Sequence, residues 1–313
     1  MNRRRVLDTG ALRHWPLPTI DAGCDKESRG RVVLIAGSRE IPGAALLAAQ
    51  AALRAGAGKV LVATGESVAM HVAVAMPELR VVGLPETSLG GLDPSGLSQL
   101  DTALRRASAV LVGPGMQDEA AAIDLTQALR QRHPELPTIL DAAAMGGATR
   151  EPVAGHPVLL TPHAGEMAHL TGHDKGAVLD DAESAAREAA RWWNAVVALK
   201  GATTVIADPL GETWVHENAN PGLATAGSGD VLAGLMVGFA ARGAPLLQAA
   251  AWGVAVHARA GDRLGAVGFL ASELLAQVPA LIGSLAPLDR GRFTPVEQTP
   301  SAAQAAPVRR SAG

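Results

Sequence analysis

Arg31–Thr64 reads RVVLIAGSREIPGAALLAAQAALRAGAGKVLVAT, and this stretch decides the fold. Arg31–Ala36 is a continuous apolar run, the pattern of a strand buried on both faces. Pro42–Ala55 is rich in alanine and leucine and reads as a helix, with Gly56-Ala57-Gly58 as its C-terminal cap and turn. Lys59–Thr64 is apolar and β-rich again. Strand, helix and strand in succession make one βαβ unit and predict a parallel sheet.

Outward from this unit the alternation continues. Ala109–Val112, Thr138–Asp141, Pro157–Leu160 and Ala195–Lys200 read as short strands, and Glu183–Trp193 as a helix. Thr203–Ala207 and Thr213–His216 flank Pro209-Leu210-Gly211, a hairpin turn. From Asp230 onward the pattern is helical, over Val231–Ala241, Leu246–Ala260 and Ala271–Gln277. The expected fold class is α/β, a mostly parallel central sheet with helices on both faces. No repeat and no linker-like shift divides it, so one domain is expected over 25–284. Residues 1–24 are expected as an irregular lead-in and 285–313 as a disordered tail.

Composition narrows the function classes. Of 313 residues, 48% are hydrophobic and 18% charged, which suits a compact chain with a sizeable core. The net charge of −3 shows no basic stripe, so no nucleic-acid partner is expected. Arg3-Arg4-Arg5 reads as a solvated, mobile end. The single cysteine, Cys24, excludes an internal disulfide or a cysteine-based metal site and reads as inert. No apolar h-region follows the N-terminal arginines, and the longest apolar stretches fall short of a bilayer. A cytoplasmic protein with no membrane partner is the expectation.

The strongest chemical signal is Asn220-Pro221-Gly222-Leu223-Ala224-Thr225-Ala226-Gly227-Ser228-Gly229-Asp230, small residues opening directly into an apolar helix. Amides at a helix start point at an anion, and the helix dipole favours negative charge there. Gly227, Ser228 and Gly229 are therefore the candidate anion hole, and Asp230 is the candidate catalytic carboxylate. An ordinary N-cap explains Gly-Ser-Gly-Asp about as well when it is taken alone. Lys200-Gly201-Ala202-Thr203-Thr204 follows a strand and is suited to nucleotide phosphates, although taken by itself it reads better as a solvated lysine at a strand end. Gly37-Ser38, Gly113-Pro114-Gly115 and Thr161-Pro162-His163 also follow strands, where ligands gather in parallel sheets. His257, inside an apolar helix, reads as a packing residue. No cluster shows metal-ligand spacing, and no dinucleotide fingerprint, Walker A loop or nucleophile elbow is present.

Taken in order, these segments resemble the NAD(P)H-hydrate dehydratases, ribokinase-like repair enzymes related to the C-terminal domain of the bacterial YjeF protein. The resemblance spans residues 12–282. It rests on Ala36-Gly37-Ser38 with Pro42-Gly43-Ala44, on Gly113-Pro114-Gly115, on Leu160–Glu166 (LTPHAGE), on Leu199–Thr204 (LKGATT) and on Ala224–Asp230 (ATAGSGD). It implies a ribokinase-like three-layer sandwich. It also implies that a nucleotide, ADP or ATP, phosphorylates the ring hydroxyl of NADHX or NADPHX, after which phosphate leaves. By position it assigns Ala44, Gly115, His163 and Asp230 to the substrate, and Lys200, Gly201, Ala202, Thr203, Thr204 and Gly229 to the nucleotide. Mg2+ would ride on the nucleotide phosphates. A homo-oligomer is expected, with Leu246–Ala260 as one possible contact, and a separate protein for epimerisation.

The chain departs from the family pattern at three places. Asp-Ala-Asp-Ala-Leu-Asn is here Asp141-Ala142-Ala143-Ala144-Met145-Gly146, Gly-Pro-Gly-Leu-Gly is Gly113-Pro114-Gly115-Met116-Gln117, and Gly-Gly-Ser is Ala36-Gly37-Ser38. Two other functions fit the same residues: a small-molecule kinase that stops at the phosphate ester, and a nucleotide binder that has lost turnover.

Overall fold

The computed structural model describes residues 3–20, 23, 25–149 and 155–285. Cys24 and the expected tail beyond residue 285 lie outside them. The strands are β1 (Arg3–Val6), β2 (Arg31–Ile35), β3 (Lys59–Gly65), β4 (Arg80–Leu84), β5 (Ala109–Val112), β6 (Thr138–Leu140), β7 (Val158–Leu160), β8 (Val196–Leu199), β9 (Thr203–Ala207) and β10 (Glu212–Glu217). The helices are α1 (Thr9–His14), α2 (Pro42–Arg54), α3 (Glu66–Ala75), α4 (Asp101–Leu104), α5 (Glu119–Arg132), α6 (Gly146–Thr149), α7 (Ala164–Thr171), α8 (Lys175–Asp180), α9 (Ala182–Trp193), α10 (Ser228–Ala241), α11 (Leu246–Leu264) and α12 (Ala271–Leu285).

The strands form one sheet in the order β1-β10-β9-β8-β7-β6-β5-β2-β3-β4. Pairing is parallel from β4 through to β8, and antiparallel across β8-β9 and β9-β10. The expected α/β sandwich is the observed one. Alternate strand residues feed two cores. Val32 and Leu34 enter a core shared with α2, α10, α11 and α12, whereas Val33 and Ile35 enter a core shared with α5, α7 and α9. The first core is thin because α10 and α2 nearly touch. A Cβ at Gly234 would lie 2.3 Å from the Ala48 carbonyl oxygen, and one at Gly238 would lie 2.6 Å from that of Ala52. Glycines of α10 therefore face alanines of α2 where these two backbones meet.

The lead-in over 1–24 was expected to be irregular, but its described residues include a strand and a helix. Arg3–Val6 pairs in parallel with β10, and Thr9–His14 is a helix capped by Asp8. The arginines are not a loose end either. Arg4 pairs with Glu183 at 2.8 Å, and Arg5 lies over the Trp214 ring, 5.1 Å from its centroid. The helix expected to end at Gln277 runs on to Leu285 through Pro279. Leu274, Val278, Leu281 and Leu285 bury one face, and that packing outweighs the proline. Helix α11 is buried inside the chain from Gln248 to Gly261, so it is not available as the subunit contact suggested for Leu246–Ala260. Among the described residues, no helix is long and apolar enough to cross a membrane.

Candidate functional site

Five adjacent parallel strands, β2, β5, β6, β7 and β8, end on one side of the sheet. Each is followed by a sequence segment singled out above: Ala36–Ile41, Gly113–Gln117, Asp141–Met145, Thr161–His163 and Lys200–Ala202. The N-terminus of α10 faces the same side. The loops are held to one another by backbone bonds, Gly37 N–H to Pro114 O at 2.7 Å, Asp141 N–H to Val112 O at 3.0 Å and Lys200 N–H to Pro162 O at 2.7 Å.

Asp141 anchors the centre. It is 5% exposed, and its Oδ1 accepts from the Thr161 hydroxyl at 2.6 Å and from the Lys200 ammonium at 3.0 Å. Lys200 Nζ is also 3.7 Å from Glu166 Oε2. Burial by itself would lower the Lys200 pKa, but Asp141, Glu166 and Asp230 outweigh it and hold it above the ordinary lysine value. Asp230 is half-buried on the first turn of α10. Burial, and then the nearby Asp141 carboxylate, push its pKa up to about 6, against the pull of Lys200. The close packing behind Asp141 explains Gly113 (φ +129°), where a Cβ would sit 1.9 Å from the Asp141 carbonyl oxygen.

The helix start supplies the anion-binding geometry. Gly227 takes the left-handed conformation (φ +86°) as N-cap of α10 and has no side chain to cover the amides. Ser228 does not contribute as expected. Its N–H closes a turn on Thr225 O at 3.2 Å, and its hydroxyl turns inward to His257 Nε2 at 2.9 Å. Among the described residues, the N–H groups of Gly227, Gly229 and Asp230 find no acceptor, and those three form the open cradle. Lys200 borders it, since a Cβ at Gly229 would lie 3.7 Å from Nζ. Gly201, Ala202 and Thr203 are exposed beside it, with Thr204 Oγ1 bonded back to Gly201 O at 3.2 Å.

His163 is the N-cap of α7 in a capping box. Its Nδ1 accepts from the Gly165 and Glu166 amides at 3.0 and 3.1 Å, and Glu166 Oε2 accepts from the His163 N–H at 2.8 Å. With Nδ1 taken up by these amides, the exposed edge of the ring presents Nε2. Ala44 and Gly115 sit together at the other end, where a Cβ at Gly115 would lie 2.7 Å from that of Ala44. The departure Gln117 fastens this end. It accepts from Ser38 Oγ at 2.9 Å and donates to Glu40 Oε2 at 2.9 Å, while Ser38 Oγ also accepts from the Ile41 N–H at 3.3 Å.

A family model described as NAD(P)H-hydrate dehydratase matches residues 32–278. The chain belongs to the NAD(P)H-hydrate dehydratase family. It is 47% identical to an ADP-dependent (S)-NAD(P)H-hydrate dehydratase of Xanthomonas campestris pv. campestris, over 90% of this chain and 98% of that protein. It is 39% identical to a bifunctional NAD(P)H-hydrate repair enzyme of Moorella thermoacetica, over 90% of this chain but only 54% of that protein. Among solved structures it is similar to the ADP/ATP-dependent NAD(P)H-hydrate dehydratase of Bacillus subtilis co-crystallised with ATP and Mg2+. The TM-score is 0.77 at 30% identity, and 90% of this chain and 98% of that one are covered. The expectation of a ribokinase-like enzyme of the hydrate dehydratase family is met.

Sequence reasoning singled out Lys200, Gly229 and Asp230, which the fold does bring together. It passed over three residues. Asp141 figured only as the start of an altered segment, although a carboxylate ending a buried central strand was a usable signal. Glu166 was read as part of a motif and given no role. His257 lies 29 residues from its partner Ser228, and no local pattern joins them.

Proposed function

We propose that this chain restores hydrated NADH and NADPH by ADP-dependent dehydration, with Asp230 as the base. The observation that carries the reading is the convergence of the Lys200 ammonium, the open amides of Gly227, Gly229 and Asp230, and the Asp230 carboxylate on one spot. Amides and lysine suit the phosphates of a nucleotide, which supplies the phosphoryl group. Asp230 takes the proton of the ring hydroxyl as its oxygen bonds to the terminal phosphorus and AMP leaves. The amides of Gly229 and Asp230 stabilise the charge that develops on the transferring group. The ring nitrogen then expels phosphate, and loss of a proton from the adjacent carbon restores the double bond.

Lys200–Thr204 and Gly229 are assigned to the nucleotide, and Ala44, Gly115 and His163 to the hydrated cofactor. Among the described residues, no group of three or more His, Cys, Asp or Glu side chains is placed to hold a metal. Mg2+ is assigned to the nucleotide phosphates and water, as phosphoryl-transfer chemistry suggests. ADP is the favoured donor because the Xanthomonas relative, matched over nearly its whole length, bears that name. A homo-oligomer and a separate epimerase complete the proposal. The exposed Met70 and Val74 on α3 suit subunit contact better than α11 does.

The test supplies hydrated NADH and NADPH with magnesium and either ADP or ATP, and follows the return of reduced-nicotinamide absorbance. Recovery with the wild type and its loss in Asp230→Asn is the expected result. A stable phosphate ester on the hydrated cofactor in place of free phosphate would make the chain a kinase instead. ADP binding without any turnover would make it a binder.

A further inference from the structure

The loop that carries the open amides is fastened at three points to the C-terminal half of α11 and its cap. Asn220 Nδ2 donates to Gly265 O at 3.1 Å and to Asp262 Oδ1 at 3.3 Å. Leu223 packs on Gly261, where a Cβ would lie 2.6 Å from its Cδ2. Ser228 meets the His257 ring, with Nε2 2.9 Å from the hydroxyl and 3.1 Å from the carbonyl oxygen. His257 and Gly261 lie one turn apart on one face of α11, and Gly265 caps the helix, so its C-terminal end supports the loop from Asn220 to the start of α10. The α11 residues around His257, from Gln248 to Ala258, are buried, which leaves that anchor little room to shift.

His257 is the polar end of that surface and the point nearest the cradle. Either neutral tautomer finds its partner on Ser228, since Nε2–H donates to an oxygen of Ser228 and a bare Nε2 accepts the hydroxyl proton. Ser228 stands between Gly227 and Gly229, and neither glycine has a side chain to pack. Without an anchor at Ser228, the two flanking amides would have only backbone to hold their direction.

We propose that His257 is a positioning residue for phosphoryl transfer, holding Ser228 from beneath so that the Gly229 and Asp230 amides stay aimed at the nucleotide phosphates. The proposal rests on the assignment of those amides to the nucleotide. His257 touches neither ligand and acts through Ser228 alone. It should therefore govern ADP affinity and kcat while leaving recognition of the hydrated cofactor alone.

The experiment measures ADP affinity by calorimetry, and kcat and KM for hydrated NADH, in His257→Leu, His257→Gln, Ser228→Ala and the double variant Ser228→Ala/His257→Leu. His257→Leu is expected to weaken ADP binding and lower kcat by about tenfold each, with KM for hydrated NADH within about twofold. His257→Gln, which keeps a polar atom near Nε2, should recover most of both. Ser228→Ala, a small change that keeps the fold, should show part of the same loss. The double variant should be no worse than His257→Leu alone, because the two side chains act as one unit. The proposal is overturned if folded Ser228→Ala and His257→Leu keep wild-type ADP affinity, or if the glutamine variant is as impaired as the leucine. Calorimetry needs no turnover, so a failure of the dehydratase reading would appear separately, as tight ADP binding without recovery of NADH.

Discussion

Lys200 Nζ lies 3.0 Å from Oδ1 of Asp141, and the strand between theirs, β7, lends the Thr161 hydroxyl to the same oxygen at 2.6 Å. The arrangement gathers Asp141, Glu166 and Asp230 around a single ammonium. Removing that cation leaves a buried carboxylate uncompensated, which is more harmful than replacing both partners.

Lys200→Met is accordingly expected to destabilise the fold by about 3 kcal/mol, and adding Asp141→Asn to recover most of it. Urea unfolding of the two variants at neutral pH checks this. If the single variant unfolds with the wild type, the pair is not a structural element of the site.

Asp230 predicts two pH effects of definite sign. As the proposed base it must be ionised, so kcat/KM of the free enzyme should climb as pH passes about 6. Asp230→Asn should lower kcat by about 10³-fold. Asp141→Asn should move the rising limb to lower pH, because the Asp141 carboxylate is the second force raising Asp230. For stability, a raised carboxyl pKa favours the native state below the unfolded value of 3.8, and that contribution is lost as pH rises through about 6. Asp230→Asn should therefore be more stable than the wild type at neutral pH, on the order of 1–3 kcal/mol. A lower melting temperature for the variant would contradict this.

His257 works in the opposite direction. Burial is the main force lowering its pKa from 6.5 to about 4. The unfolded chain therefore takes up a proton first as pH falls, and stability declines between 6.5 and 4. This contribution should reach roughly 3 kcal/mol and be absent from His257→Gln. Chemical denaturation of both proteins across that range provides the comparison, and parallel curves would rule the histidine out.

Gln117→Gly removes the clamp on Ser38 and Glu40. With the clamp partly exposed, stability should fall by less than about 1 kcal/mol. KM for the hydrated cofactor should rise about three- to tenfold with kcat within about twofold, the signature of lost ground-state binding. Unchanged KM would mean that the loop from Ser38 to Ile41 holds its place unaided.

The sequence disclosed what is periodic. Continuous apolar runs marked β2, β3, β5 and β8, and small-residue segments after them marked the site edge. It was least legible where a tertiary partner changes the meaning of a residue. Arg3-Arg4-Arg5 looks like solvated chain until Glu183 and Trp214 are placed beside it. β4 carries only Val81, Val82 and Leu84 around a glycine, and α3 exposes Met70 and Val74, so neither shows a clean stripe. Ser228 reads as an ordinary capping serine, and only the fold supplies the histidine beneath it.

Strand β1 bears on how the chain is made. Arg3–Val6 takes its hydrogen-bonding register from Glu212–Val215, so this strand has no template until those residues, some two hundred positions later, have been made. Its docking joins residues far apart along the chain, and contacts of that kind form slowly. During translation this short basic segment must wait, unpaired, while the central strands assemble behind it. A bulky fusion ahead of Arg3 would burden that docking more than it would disturb the finished site.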